Sequence, residues 1–221
     1  MKIALLLTGF LRSYNMNYYN LKTNLIDLYD CDIYCVTWDK QEDGYIVTSE
    51  DFNIYNSLAA VKIQSLKEYE QNKKYFYPLN RENDVFLVDE RAKHHGVYWA
   101  NRLKDQWKLV KEGYKAIKKP ESYDIIFRLR YDINIQSKIN LKINNCLNIP
   151  NDIGGWDFTD HMAYSDPEIM KKYCHLYDHI DAMYLNHNID ITHAVNMPKF
   201  YINQNNINWN YDKDIIYRII K

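Results

Sequence analysis

The chain has 221 residues, of which 47% are hydrophobic and 26% are charged, a composition typical of a soluble globular protein with a core of ordinary size. Its 28 Lys and Arg residues are matched by 29 Asp and Glu residues, which excludes a strongly basic surface and gives no reason to expect nucleic acid as a partner. The apolar run at the N-terminus, about five residues, is too short for a signal peptide or a membrane span. We therefore expect one domain over residues 1–221, without a transmembrane segment, in the cytoplasm.

Strands and helices alternate in the first half of the chain. The apolar spacing over residues 14–29 predicts a helix that begins after Ser13, whose hydroxyl is suited to cap it. Short apolar runs predict three strands, at residues 2–7, 31–38 and 59–64. Because the first strand, the helix and the second strand follow one another directly, we expect a parallel pair of strands joined by a right-handed crossover.

A long helix is predicted between these strands and the next one. Residues 65–74 predict a short helix, residues 80–91 are ambiguous, and residues 94–118 carry the longest helical pattern in the chain. Pro120 ends that pattern. Trp107 lies on its apolar side, and we expect this side chain in the core.

The second half begins with an apolar strand over residues 123–130. Asp166 is a typical N-cap residue and Pro167 suits the first helical position, so a helix is expected to start there. The other expected elements are a turn at 151–155, a strand over 156–165, helices over 168–180 and 181–195, and a strand over 199–204.

Together these elements predict an α/β fold with a mainly parallel central sheet and helices on both sides. Ligands of such folds bind beyond the carboxyl ends of the strands. Residues suited to a phosphorylated ligand lie at or after those ends: Thr8, Gly9 and Arg12, then Asp39, then Arg128, Arg130 and Asp132. We therefore expect their side chains along one edge of the sheet.

The stretch DIIFRLRYDINI, residues 124–135, carries the strongest chemical signal. If the strand continues through it, Arg128, Arg130 and Asp132 share one face, because side chains alternate along a strand. Arginine offers paired donors to phosphate oxygens, and aspartate can hold a divalent cation that bridges a diphosphate. The chain has no Walker loop and no GxGxxG motif, which disfavours a nucleoside-triphosphate or nicotinamide enzyme and leaves a nucleotide sugar as the natural ligand.

Four stretches, in the same order, resemble GT-A-type glycosyltransferases of the small viral and bacterial kind that builds surface glycans and lipopolysaccharide. They are IALLLTGFLRSY at 3–14, DIYCVTWD at 32–39, YDIIFRLRYDI at 123–133 and DHMAYSDPEIMKKY at 160–173. The family's metal motif is usually Asp-x-Asp. This chain has Arg130-Tyr131-Asp132 there, so Asp132 is the carboxylate that remains.

The resemblance implies a GT-A-like fold and a transferase that moves a sugar from a UDP- or GDP-linked donor to a glycan hydroxyl, with Mn²⁺ or Mg²⁺ at Asp132. It also implies that the segment Gln106-Trp107 packs behind the nucleotide site. Asp160 is the candidate base that takes the proton of the acceptor, and Asp132 is the second candidate catalytic residue. His161 follows Asp160 in the expected strand, so we expect it to face away and to be structural.

Two other functions stay open. A sugar-phosphate nucleotidyltransferase shares the α/β architecture and a metal-bound aspartate, but it normally has a Gly-rich loop after the first strand, where this chain has only Gly9. A non-catalytic module that binds a glycan or a protein would account for the missing second carboxylate of the metal motif.

Overall fold

The computed structural model describes residues 1–72, 90–150, 158–187 and 196–220, and for residues 90–101 and 184–187 it describes the backbone alone. The strands are β1 (Lys2–Thr8), β2 (Asp30–Trp38), β3 (Leu58–Gln64), β4 (Ile125–Arg130), β5 (Ile133–Ile135), β6 (Leu147–Pro150), β7 (Met162–Ser165), β8 (Trp209–Asp212) and β9 (Tyr217–Ile219). The α-helices are α1 (Tyr14–Asn24), α2 (Leu66–Asn72), α3 (Glu90–Ala116), α4 (Pro167–Cys174), α5 (Ile180–His187) and α6 (Asn196–Gln204).

The strands form a seven-stranded sheet in the order β3-β2-β1-β4-β7-β6-β8, and β5 pairs separately with β9. Strands β3, β2, β1 and β4 are parallel, β7 is antiparallel to β4 and to β6, and β8 is parallel to β6. Within this sheet β7 alone runs against the others, so the expected mainly parallel sheet is confirmed. The chain adds β2 and β3 on one side of β1 and returns with β4 on the other, an arrangement compatible with a Rossmann-like fold.

Helices cover both faces of the sheet, as expected. Leu6 of β1 faces a core that includes Trp107 of α3 and Tyr173 of α4. Leu5 points to the opposite face, because side chains alternate along a strand, and packs in a second core with Leu21 of α1. Trp107 is fully buried, which confirms its predicted place in the core.

Helix α3 approaches β1 very closely at Gly113. A Cβ atom at this position would lie 3.2 Å from Cγ2 of Thr8 and would collide with the side chain of Leu6. The missing side chain therefore lets the long helix lie directly against the end of β1, where Thr8 is fully buried.

The strand prediction over residues 199–204 is wrong. Residues 199–204 lie in α6, because Met197, Pro198, Tyr201 and Ile202 are buried at helical spacing. Strand β4 ends at Arg130, since residues 131–132 form a turn and β5 pairs with β9 instead of extending β4. The predicted end of this strand at residue 130 is therefore confirmed, and the condition under which Arg128, Arg130 and Asp132 would share one strand face is not met.

The two predicted helix caps have different outcomes. The carboxylate of Asp166 accepts hydrogen bonds from the backbone N–H groups of Glu168 and Ile169 at 2.9 and 3.0 Å, which confirms this N-cap. Ser13 makes no such bond to α1. Its hydroxyl donates instead to the carbonyl of Ile220 at 2.7 Å, because the C-terminal segment lies against the start of this helix.

Parts of five predicted elements lie outside the described residues: the end of the short helix at 73–74, the ambiguous segment at 80–89, the turn at 151–155, the start of the strand at 156–157 and the end of the helix expected to reach 195. In the part of the chain that the structure describes, no helix combines the length and the apolar character needed to cross a bilayer.

Candidate functional site

A cavity of about 900 Å³ opens at the carboxyl ends of β1 and β4. The order of the sheet reverses between these two strands, and open α/β sheets bind their ligands at such a point. The predicted residues that line the cavity are Thr8, Gly9, Arg12, Arg130, Asp132 and Asp160. The structure therefore brings five of the residues expected at this edge of the sheet together with Asp160, which was predicted separately as the candidate base.

The turn after β1 carries Arg12 into the cavity. Gly9 and Arg12 have φ angles of 123° and 40°, a region that glycine adopts readily and arginine seldom. The N–H of Leu11 donates to Oε1 of Gln41 at 2.6 Å, which ties this turn to the loop after β2. Nη1 of Arg12 then reaches Oδ2 of Asp132, a residue 120 positions later, at 2.6 Å.

Asp132 is 2% exposed, and both of its carboxylate oxygens accept hydrogen bonds from arginine. Arg130 donates through Nε to Oδ1 at 2.9 Å and through Nη2 to Oδ2 at 2.5 Å, in addition to the bond from Arg12. Burial alone would raise the pKa of Asp132, but Arg130 and Arg12 outweigh it, so this pKa lies below its ordinary value. Asp132 is therefore an ionised carboxylate held between two guanidinium groups.

This donor set does not fit a divalent cation at Asp132. Mg²⁺ and Mn²⁺ take several oxygen ligands, and among the side chains that the structure describes no group of three His, Cys, Asp or Glu is placed to hold a metal ion. The oxygens of Asp132 that would bind a cation already accept hydrogen bonds from Arg12 and Arg130. The expected Mn²⁺ or Mg²⁺ stays a prediction from the resemblance.

Glu42, which sequence reasoning did not single out, joins two of the arginines that line the cavity. Its Oε2 accepts from Nε and Nη2 of Arg12 at 3.3 and 3.1 Å, and its Oε1 forms an ion pair with Arg102. Arg102 lies on α3 one turn before Gln106, so the two side chains share the face of the helix that lines the cavity. The i, i+4 spacing of Arg102 and Gln106 was the sequence signal that could have placed Arg102 at the site.

Asp160 lies in the same cavity and is 4% exposed. Nε2 of Gln106 donates to its Oδ2 at 2.5 Å, so Gln106, which was expected behind the nucleotide site, lines the cavity itself. Burial alone would raise the pKa of Asp160, but His161, Arg130 and Arg128 lower it, and the net pKa lies below its ordinary value. Asp160 is therefore ionised.

Two predicted ligand residues, Arg128 and Asp39, do not line the cavity. Arg128 is fully buried behind it, where Nε donates to Oγ1 of Thr8 at 3.3 Å and Nη1 donates to the carbonyl of Asp160. Oδ1 of Asp39 accepts from the N–H of Leu66 at 2.9 Å and so satisfies a backbone donor at the start of α2. Arg128 lies deeper in the sheet than the strand end, and both side chains support the walls of the cavity.

His161 lines the cavity beside Asp160, so the expectation that it faces away is wrong. The reason is that β7 begins only at Met162, which leaves residues 158–161 outside the strand alternation. Nδ1 of His161 lies 2.9 Å from the hydroxyl of Tyr217 in β9, and Nε2 lies 3.8 Å from Oδ1 of Asp160. No local sequence signal linked His161 to Tyr217, because the two are 56 residues apart.

The sequence matches no model of a known protein family, and no curated protein matches it. The likeness of its four stretches to GT-A-type glycosyltransferases therefore stays a prediction from the residues quoted above.

Proposed function

We propose that the protein is a glycosyltransferase that moves a sugar from a UDP- or GDP-linked donor to a hydroxyl group of a glycan acceptor. The observation that carries the proposal is a single cavity that brings the guanidinium groups of Arg12, Arg102 and Arg130 together with the buried carboxylate of Asp160. Guanidinium groups suit the two phosphates of a nucleotide sugar. A volume of about 900 Å³ is at the upper end of the range for ligand pockets and is ample for such a donor.

The arginines would act on the leaving group. When the bond between the sugar and the diphosphate breaks, negative charge develops on the diphosphate. The side chains of Arg12 and Arg102, 30% and 24% exposed, can exchange Glu42 for phosphate oxygens. Arg130 is held in a fixed orientation by its two hydrogen bonds to Asp132. Positive charges already in place where charge develops lower the barrier without reorganisation during the reaction.

The carboxylate of Asp160 would serve the acceptor side. Because its pKa is lowered, Asp160 carries negative charge at neutral pH and can stabilise a cationic neighbour or accept a proton. An inverting transfer requires a group that takes the proton of the attacking hydroxyl, and a retaining transfer does not. Asp160 and His161 are the neighbouring groups in the cavity that could fill this role.

The first test is release of a free nucleoside diphosphate from a panel of nucleotide sugars, with and without glycan acceptors. We expect release with one donor class, increased by an acceptor. Release of pyrophosphate from a sugar phosphate and a nucleoside triphosphate would instead identify a nucleotidyltransferase. Repeating the assay in EDTA tests the cation. Activity that persists agrees with charge neutralisation by arginine, whereas complete loss would restore a metal role for Asp132.

The second test measures the nucleotide contact of Arg12. Arg12→Ala should weaken binding of the nucleoside diphosphate by about 1.5–3 kcal/mol, the value of a hydrogen bond to a charged group. Arg218→Ala is the matched control, because Arg218 is an exposed arginine of β9 that does not line the cavity. Calorimetry that finds the same affinity in both variants and in the wild type would remove Arg12 from the site.

A second candidate function is a module that binds a glycan or a phosphorylated sugar without transferring it. The observation that favours it is the full engagement of Asp132 by Arg12 and Arg130, which leaves this carboxylate no free oxygen for a catalytic cation. Such a module would bind its ligand in calorimetry and release no nucleoside diphosphate from any donor.

A further inference from the structure

The two ring nitrogens of His161 face different partners. Nδ1 lies 2.9 Å from the hydroxyl of Tyr217, and that hydroxyl donates its single proton to Oγ1 of Thr159 at 3.3 Å. In the arrangement in which the Tyr217 hydroxyl donates to Thr159, Nδ1 of His161 carries the ring proton and donates to Tyr217, and Nε2 is the acceptor nitrogen that faces the cavity. The side chain of His161 is 18% exposed and lines the cavity, so a ligand can reach Nε2.

Asp160 lies beside that same nitrogen. Its Oδ1 is 3.8 Å from Nε2 of His161, too far for a hydrogen bond but close enough to stabilise a positive charge on the ring. Its other oxygen is engaged by Gln106, and the carboxylate as a whole is almost fully buried. His161 is therefore the more accessible of the two groups, and Asp160 is placed to support it.

We propose that His161 is the base of the transfer reaction, with Nε2 taking the proton of the acceptor hydroxyl, Tyr217 acting as the positioning residue and Asp160 as the charge partner. This inference rests on the proposed function. The acceptor oxygen forms its bond to the anomeric carbon, the bond from that carbon to the diphosphate breaks, and the diphosphate leaves with the electron pair. The proton moves to Nε2 and is later lost to water. Direct displacement of this kind inverts the anomeric configuration.

The surroundings of His161 keep the ring neutral and ready to accept a proton. The charged groups that face it come from β4, from the turn after β4 and from the residues before β7: Arg128, Arg130, Asp132 and Asp160. Burial lowers the pKa of His161, Asp160 raises it and Arg130 lowers it again, and the net pKa lies below the ordinary value of 6.5. At pH 7 the ring is therefore unprotonated.

The main test compares His161→Gln with His175→Gln. We expect His161→Gln to lower kcat by about 10²–10⁴, the contribution of a positioned base, while KM for the donor changes little. His175→Gln is the matched control, because His175 bonds the carbonyl of Lys171 outside the cavity and should leave kcat unchanged. Tyr217→Phe keeps the ring and removes the hydroxyl, so it should lower kcat and also move the acid limb of the pH profile, which a purely structural role would not.

The wild-type pH profile decides between His161 and Asp160 even where a variant does not fold. With His161 as the base, kcat/KM falls as the pH drops below the lowered pKa of the ring. With Asp160 as the base, kcat/KM stays level down to about pH 4. A level profile, a retained anomeric configuration, or a folded His161→Gln variant with more than a third of wild-type kcat would each overturn the inference. No sugar transfer by the wild type with any donor would instead overturn the proposed function.

Discussion

Replacing Asp132 by asparagine should destabilise the protein strongly, because it removes the negative charge between Arg12 and Arg130. Breaking a buried ion pair from one side typically costs about 3–5 kcal/mol, since the remaining charge stays buried without a partner. The side chain of Arg130 is 18% exposed and that of Arg12 is 30% exposed, so some solvation compensates and the lower end of this range is expected. A loss of about 3 kcal/mol corresponds to a fall in Tm of about 6–12 °C in a protein of this size.

Urea unfolding and thermal melting of Asp132→Asn measure this change directly. Asp27→Asn is the control, because it breaks the exposed ion pair between Asp27 and Lys22 and should change stability by less than about 1 kcal/mol. An Asp132→Asn variant as stable as Asp27→Asn would refute the reasoning that Asp132 is the buried counter-charge of the arginines.

The remaining predictions concern the helix contact, the Glu42 bridge and acid. Gly113→Ala should destabilise the protein by about 1–3 kcal/mol in urea unfolding, although alanine favours a helix, because the new methyl group collides with Leu6. Unchanged stability would mean that α3 can shift away from β1. Glu42→Gln should bind nucleoside diphosphate up to about tenfold more tightly in calorimetry, because it removes a negative charge that competes with phosphate for Arg12 and Arg102, and weaker binding would contradict this. The lowered folded pKa of Asp132 contributes stability that is fully present above its unfolded pKa of about 3.9 and is lost as the pH falls through the folded value. The unfolding free energy of the wild type should thus be level from pH 6 to about 5 and fall at lower pH, with a smaller fall in Asp132→Asn. If the two proteins lost the same free energy below about pH 5, the lowered pKa of Asp132 would be contradicted.

The sequence by itself determined the strands at the centre of the sheet and the residues that follow them. The apolar runs of β1, β2 and β4 are buried on both faces, so their composition is unambiguous, and the rule that ligands bind beyond strand ends placed Thr8, Arg12 and Arg130 at the cavity. The cap at Asp166 was equally readable, because it depends on hydrogen bonds to residues only two and three positions away.

Only the tertiary structure decided which charged groups meet. Asp132 pairs with Arg12 across 120 residues, and His161 meets Tyr217 because β9 pairs with β5 beside the end of β4. The same packing buries Arg128 behind Thr8 and engages Asp39 at the start of α2. Local sequence patterns indicate which side chains are chemically able to bind a ligand. Strand pairing between segments that are far apart in the sequence decides whether a guanidinium or carboxylate group lines the cavity. The same pairing decides which of these groups is instead buried in a structural contact.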